Sequence, residues 1–99
     1  MDVTKEKIND VLSVKIIGSV DTNTAQELKE SIAGELAGVK ELRFDMSELD
    51  YTSSAGLRVF LSAFKVVNKN GGKVVLCSMN EDVKEIFEIT CFLRLMEVE

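Results

Sequence analysis

The stretch Leu42-Arg43-Phe44-Asp45-Met46-Ser47-Glu48-Leu49-Asp50-Tyr51-Thr52-Ser53-Ser54-Ala55-Gly56-Leu57 decides how this chain folds. Its first part alternates. Leu42, Phe44 and Met46 are apolar while Arg43 and Asp45 are charged, the two-residue period of a strand with one buried face. Its last part opens a helical pattern, with Leu57, Phe60, Leu61, Phe64 and Val67 on one stripe. Residues 47–53 read as a loop between the two. Asn70-Gly71-Gly72 closes the helix, because glycine takes the left-handed cap conformation without steric cost. The near-continuous apolar run at 73–77 then reads as a strand buried on both faces, completing a β-α-β unit.

The same grammar extends in both directions. Upstream, Leu12, Val14 and Ile16 alternate with Ser13 and Lys15 until Gly18, and Asn9-Asp10 fits a two-residue hairpin turn after the weakly patterned residues 1–8. Ala25, Leu28, Ile32 and Leu36 mark a helix face, with Thr24 and Glu27 as a capping box and Gly38 as a stop. Downstream, Asn80 caps a third helix carrying Val83, Ile86 and Phe87, and residues 95–98 can add a short edge strand. The order is β-β-α-β-α-β-α with a possible final strand, an α/β domain spanning 1–99. Parallel strands at 11–18, 41–46 and 73–77 would bring residues 21–24, 52–56 and 78–80 to one sheet edge, where open α/β sheets place their sites.

Composition narrows the chemistry. The chain has 99 residues, 45% hydrophobic and 29% charged, enough for one modest core. A net charge of -5 argues against nucleic acid and against anionic lipid, both of which need a basic face. With no histidine, triads, histidine bases and most zinc sites are excluded. No apolar run is long enough to span a bilayer, and no secretory leader pattern is present, so a cytoplasmic location is expected. Cys77 and Cys91 cannot make a four-ligand metal site and read as reduced thiols, with Cys77 in the core. An Asp21/Asp45 carboxylate pair finds no enclosing pocket in so short a chain, and an aspartyl-phosphate receiver would need more β-α units. No phosphate-cradling glycine loop is present, so neither nucleotide nor any other cofactor is expected.

The hydroxyl run Tyr51-Thr52-Ser53-Ser54 therefore holds most of the interest. One reading is structural: Ser53 or Ser54 is an N-cap, and Ala55-Gly56 lets the helix pack closely. The other is a modification site, because a phosphate at a helix start meets free backbone N–H groups and the positive end of the dipole. The helix that follows carries a second apolar strip, Val59, Ala63 and Val66, which either packs under a neighbouring helix or faces a partner.

Gly18-Ser19-Val20-Asp21, Leu42-Arg43-Phe44-Asp45-Met46-Ser47, Tyr51-Thr52-Ser53-Ser54-Ala55-Gly56-Leu57 and Asn70-Gly71-Gly72-Lys73-Val74 together resemble the STAS domains, specifically the bacterial anti-sigma factor antagonists. The resemblance covers about residues 3 to 98. It implies a mixed β-sheet with helices mainly on one face. It implies a non-catalytic partner switch as well. The unmodified antagonist binds an anti-sigma factor that is also a serine kinase and so frees a sigma factor; ATP-dependent serine phosphorylation breaks the complex, and a serine phosphatase resets it. By position, Ser54 is the implied phosphoacceptor with Ser53 as fallback, and Asp21 contacts a basic residue of the kinase. The implied partner-binding residues are Asp21, Thr24, Thr52, Ser53, Ala55, Gly56, Arg58, Val59 and Ser62. Ser53 replaces the family's usual aspartate, Ala55 replaces a serine found in some members, and Cys91 replaces a common glycine after the third helix. The same family also supplies scaffold domains and transport-assembly subunits, in which the serine motif is structural.

Overall fold

The computed structural model describes residues 1–99. Strands β1 (Asp2–Ile8), β2 (Val11–Val20), β3 (Glu41–Thr52), β4 (Lys73–Cys77) and β5 (Glu97–Val98) form one sheet in the order β1-β2-β3-β4-β5. β1 and β2 are antiparallel, joined at Asn9-Asp10 with Asn9 at φ 56°, and every other pairing is parallel. Helices α1 (Thr22–Ala33), α2 (Ser54–Lys69) and α3 (Glu81–Ile89) are the three crossovers. Because β2 to β5 step in one direction and such crossovers are right-handed, all three helices are carried to the same face. The expected mixed sheet with helices on one face is therefore the observed architecture, and the short final strand exists.

The core lies between that face and the helices. Leu12, Val14 and Ile16 of β2, Leu42, Phe44 and Met46 of β3, and Val74 and Leu76 of β4 are fully buried. Phe44, Phe60, Phe87 and Phe92 form a chain of ring contacts with centroids 4.9, 5.5 and 6.0 Å apart, tying the sheet to α2, α3 and the 3-10 turn at Phe92–Arg94. The opposite face carries ion pairs instead: Lys15–Glu48, Arg43–Glu41, Arg43–Glu99 and Lys73–Glu97.

Four local expectations change. Residues 47–52 are strand rather than loop: β3 runs on to Thr52 beside β2. Between the Lys15↔Asp45 and Ile17↔Glu48 pairs, and again between Gly18↔Leu49 and Ser19↔Tyr51, β3 advances one residue more than β2. These bulges break the two-residue alternation that marks a strand in sequence. The capping box of α1 is Asp21 with Thr24, not Thr24 with Glu27. The helix begins earlier, and Thr24 Oγ1 is spent accepting from Asp21 N at 2.8 Å. That helix ends at Ala33, capped by Gly34, so Leu36 is buried from a turn rather than from a helix face. Cys77 is only half-buried, on the ion-paired face, where its Sγ lies 3.5 Å from Arg43 Nη2. Cys91 does occupy the left-handed conformation at φ 63°, so the turn that usually takes glycine is kept.

Candidate functional site

The joined ends of β2 and β3 carry the first turn of α2. Val20 pairs with Thr52, and Ser53 N donates to Val20 O at 2.8 Å. Gly56 rests directly on that corner. A Cβ there would overlap Thr52 Oγ1 and stand 2.8 Å from Val20 Cγ1, so only glycine permits the approach. Thr52 is buried to 2% exposure and donates to Ser53 O at 3.3 Å.

The two serines part company at this corner. Ser53 is the N-cap of α2: its backbone is extended, its Oγ accepts from Gly56 N at 3.2 Å, and its carbonyl accepts from Leu57 N at 3.0 Å. Ser54 is the first helical residue, exposed, and its hydroxyl has no protein partner. Beside them, Asp21 caps α1. One carboxylate oxygen, Oδ1, accepts from Asn23 N and Thr24 N, both at 2.8 Å, while Oδ2 is free. The Thr24 backbone N–H first, then its hydroxyl, holds the Asp21 carboxyl below its ordinary value, so it is charged at neutral pH. The single proton of the Thr24 hydroxyl is shared between Asp21 Oδ1 and Ser19 O, each 3.1 Å away, which ties this cap to the end of β2.

A cleft of about 200 Å³ runs from this corner between α1 and α2, with Ala25, Gln26 and Lys29 on one wall and Ala55, Arg58, Val59 and Ser62 on the other. It continues into an apolar groove of about 130 Å³ lined by Ile32, Leu36, Ala63 and Val66. The second apolar strip of α2 thus packs largely beneath α1: Val59 and Ala63 are buried, and Val66 alone is well exposed.

Of the residues singled out in sequence, Asp21, Ser54, Arg58 and Ser62 are exposed, while Thr24, Ser53 and Ala55 are half-buried. Thr52, Gly56 and Val59 are buried; they shape the surface and hold it in place. The loop at 78–80 sits further back than expected. Asn80 Nδ2 donates to Leu49 O at 3.0 Å, three residues before Thr52, or about 10 Å down the strand. Tyr51, in the hydroxyl run but assigned no role from sequence, stands 52% exposed next to the corner, and aromatic side chains of this kind anchor many protein interfaces. Lys29 also escaped notice, because the pattern of α1 placed it simply on a polar face.

Residues 2–99 match the model of the STAS domain. The chain belongs to the STAS domain family. BtrV of Bordetella bronchiseptica is 36% identical over 99 residues, covering 99% of this chain and 85% of that protein. The anti-sigma-B factor antagonist of Listeria monocytogenes is 34% identical over 98 residues, covering 96% of this chain and 84% of that one. This STAS domain therefore groups with the anti-sigma factor antagonists. Its fold matches the phosphorylated form of SpoIIAA, a Bacillus cell fate determinant, with a TM-score of 0.78 at 13% identity over 99% of this chain and 91% of that one. No helix of the domain is long and apolar enough to cross a membrane.

Proposed function

We propose that the chain is a partner-switching antagonist. Unmodified, it docks an anti-sigma factor that is also a serine kinase through the corner formed by Asp21, Tyr51, Ser54 and Arg58, and so frees a sigma factor. Phosphorylation of Ser54 ends the complex. The Ser54 Oγ bonds the γ-phosphorus of ATP, ADP leaves, and the hydroxyl proton passes to a base of the kinase, since this chain holds no histidine and serves only as the acceptor. A serine phosphatase restores the hydroxyl by hydrolysis.

The observation that carries this reading is the division of labour between the adjacent serines. Ser53 Oγ is engaged in capping α2, whereas Ser54 Oγ is exposed and unpartnered at a helix start that tolerates a phosphate. The names of its relatives agree with an antagonist role, and SpoIIAA is known in a phosphorylated form. The test is to mix the protein with its cognate kinase and ATP and to map phosphate by mass spectrometry alongside a pull-down. Phosphate on Ser54 with loss of the complex is expected, with Ser54→Ala locked in the complex and Ser54→Asp weakened. Phosphate confined to Ser53, or none from a demonstrably active kinase, would sink the assignment.

A further inference from the structure

We propose that Arg58 is the internal receiver of the Ser54 phosphoryl group, so that modification withdraws a cation from the docking corner as well as adding negative charge. The inference rests on Ser54 being the acceptor. Ser54 is the first residue of α2 and Arg58 stands four residues on, where side chains of a helix lie about 5–6 Å apart at Cβ. Both are exposed, and Arg58 has no ion-pair partner although the chain's acidic residues outnumber its basic ones, 17 to 12. An anion N-terminal to a cation at this spacing is also the favourable order along the helix dipole.

Neighbouring charges define the competition. Asp21, the N-cap of α1 and itself under the influence of the Met1 ammonium, opposes a phosphate there, while Lys29 lines the same cleft as Arg58 and is the rival receiver. A guanidinium can meet two phosphate oxygens at once, which an ammonium cannot. Arg58 also stands on the helix that carries the phosphate, so no movement of α1 is needed. In the unmodified protein Arg58 is free to meet an acidic group of the partner. In the modified protein it is occupied.

The test installs phosphoserine at position 54 during synthesis of the full chain, independently of any kinase. The second phosphate ionisation is then followed by phosphorus NMR in the parent, Arg58→Gln, Arg58→Lys and Lys29→Gln forms. The helix N-terminus is unchanged among them, so differences isolate the side chains. The parent should ionise lower than Arg58→Gln by roughly 0.3–0.6, a two- to fourfold change in acidity constant. Arg58→Lys should recover part of that, Lys29→Gln should match the parent, and the Arg58 Nε–H resonance should move on modification. Equal ionisation in the parent and Arg58→Gln, an unmoved Nε–H, or a larger effect from Lys29→Gln would overturn the proposal. A kinase that ignores Ser54 would overturn the antagonist switch and leave this measurement standing.

Discussion

Changing Ser53 and Ser54 one at a time should give opposite phenotypes, and the magnitudes follow from where each hydroxyl points. Ser53→Ala removes the acceptor for Gly56 N and leaves an orphan donor in the first turn of α2. Loss of such a cap costs about 1 kcal/mol, within a range of roughly 0.5–2. For a domain of 99 residues that lowers the melting temperature by about 4–8 °C, or the urea midpoint by roughly 0.3–1 M. Ser54→Ala removes a hydroxyl without a partner at an exposed helical position, so its effect should stay within about 0.5 kcal/mol. Ser53→Asp should melt no lower than the parent, because a carboxylate accepts from the same N–H and favours the positive end of the helix dipole. Thermal and urea denaturation of the three variants, followed by circular dichroism, reads all of this directly. If Ser54→Ala were as destabilised as Ser53→Ala, or Ser53→Ala were indistinguishable from the parent, the assignment of cap and free hydroxyl would be wrong.

Gly56→Ala should destabilise by about 1–3 kcal/mol, since its methyl would be driven into buried Thr52 and Val20; an unchanged melting temperature would mean that the corner is loosely packed. Cys91→Gly should raise stability by up to about 1 kcal/mol, because the left-handed strain relieved at φ 63° exceeds the backbone entropy that glycine adds to the unfolded chain; a lower melting temperature under reducing conditions would contradict this. Asp21→Asn keeps a good N-cap but cannot titrate. The folded carboxyl lies below its ordinary 3.8, so its contribution is present above that pH and disappears as pH falls through the folded value. Urea midpoints of parent and Asp21→Asn should therefore diverge least below pH 3.8 and most near neutrality, and a constant gap across that window would refute the link.

Much of this fold is legible in sequence because β2, the first half of β3 and the helices bury one face each, and β4 is a short apolar run buried on both. Leu12-Val14-Ile16 and Leu42-Phe44-Met46 state their period outright, and both runs lie fully buried against the helices. The failures occur where backbone geometry departs from that period. β3 beyond Met46 has two exposed residues between buried ones, because its bulges rotate Glu48 to Thr52 relative to β2, and such a segment looks like a loop. The end of α1 misleads for the opposite reason: Leu36 keeps helical spacing although Gly34 has already ended the helix. Near the site, the hydroxyl run is visible in sequence, but which serine caps and which is free depends on where β3 stops. Lys29 becomes a neighbour of Arg58 only through the packing of α1 on α2.

Under the proposed switch, the placement of Ser54 would let a small domain be switched without being unfolded. A phosphate adds roughly −1.5 to −2 charges, and in a buried position this would be ruinous for a domain whose whole stability is of the order of 5–15 kcal/mol. A phosphate on Ser54 would stand at an exposed helix start, so the core of Phe44, Phe60 and Phe87 would not register it. A docked partner is in a different position. Desolvating a phosphate that a single arginine only partly neutralises, or meeting it with a like charge, would cost about 2–5 kcal/mol at an interface, a loss in affinity of roughly thirty- to several-thousandfold. Asp21 lies at the same corner, so the added charge would fall beside an existing carboxylate, and any arginine or lysine of the partner aimed at Asp21 would have its geometry disturbed rather than simply strengthened. The close-packed seat beneath Ser54, built from Val20, Thr52 and Gly56, would keep the helix from retreating to relieve that conflict. Weakening the seat, as in Gly56→Ala, should therefore blunt the switch even when the hydroxyl is modified normally. The measurement is the ratio of partner affinities with and without phosphate; a ratio equal to the parent's would show that the rigidity of the corner plays no part.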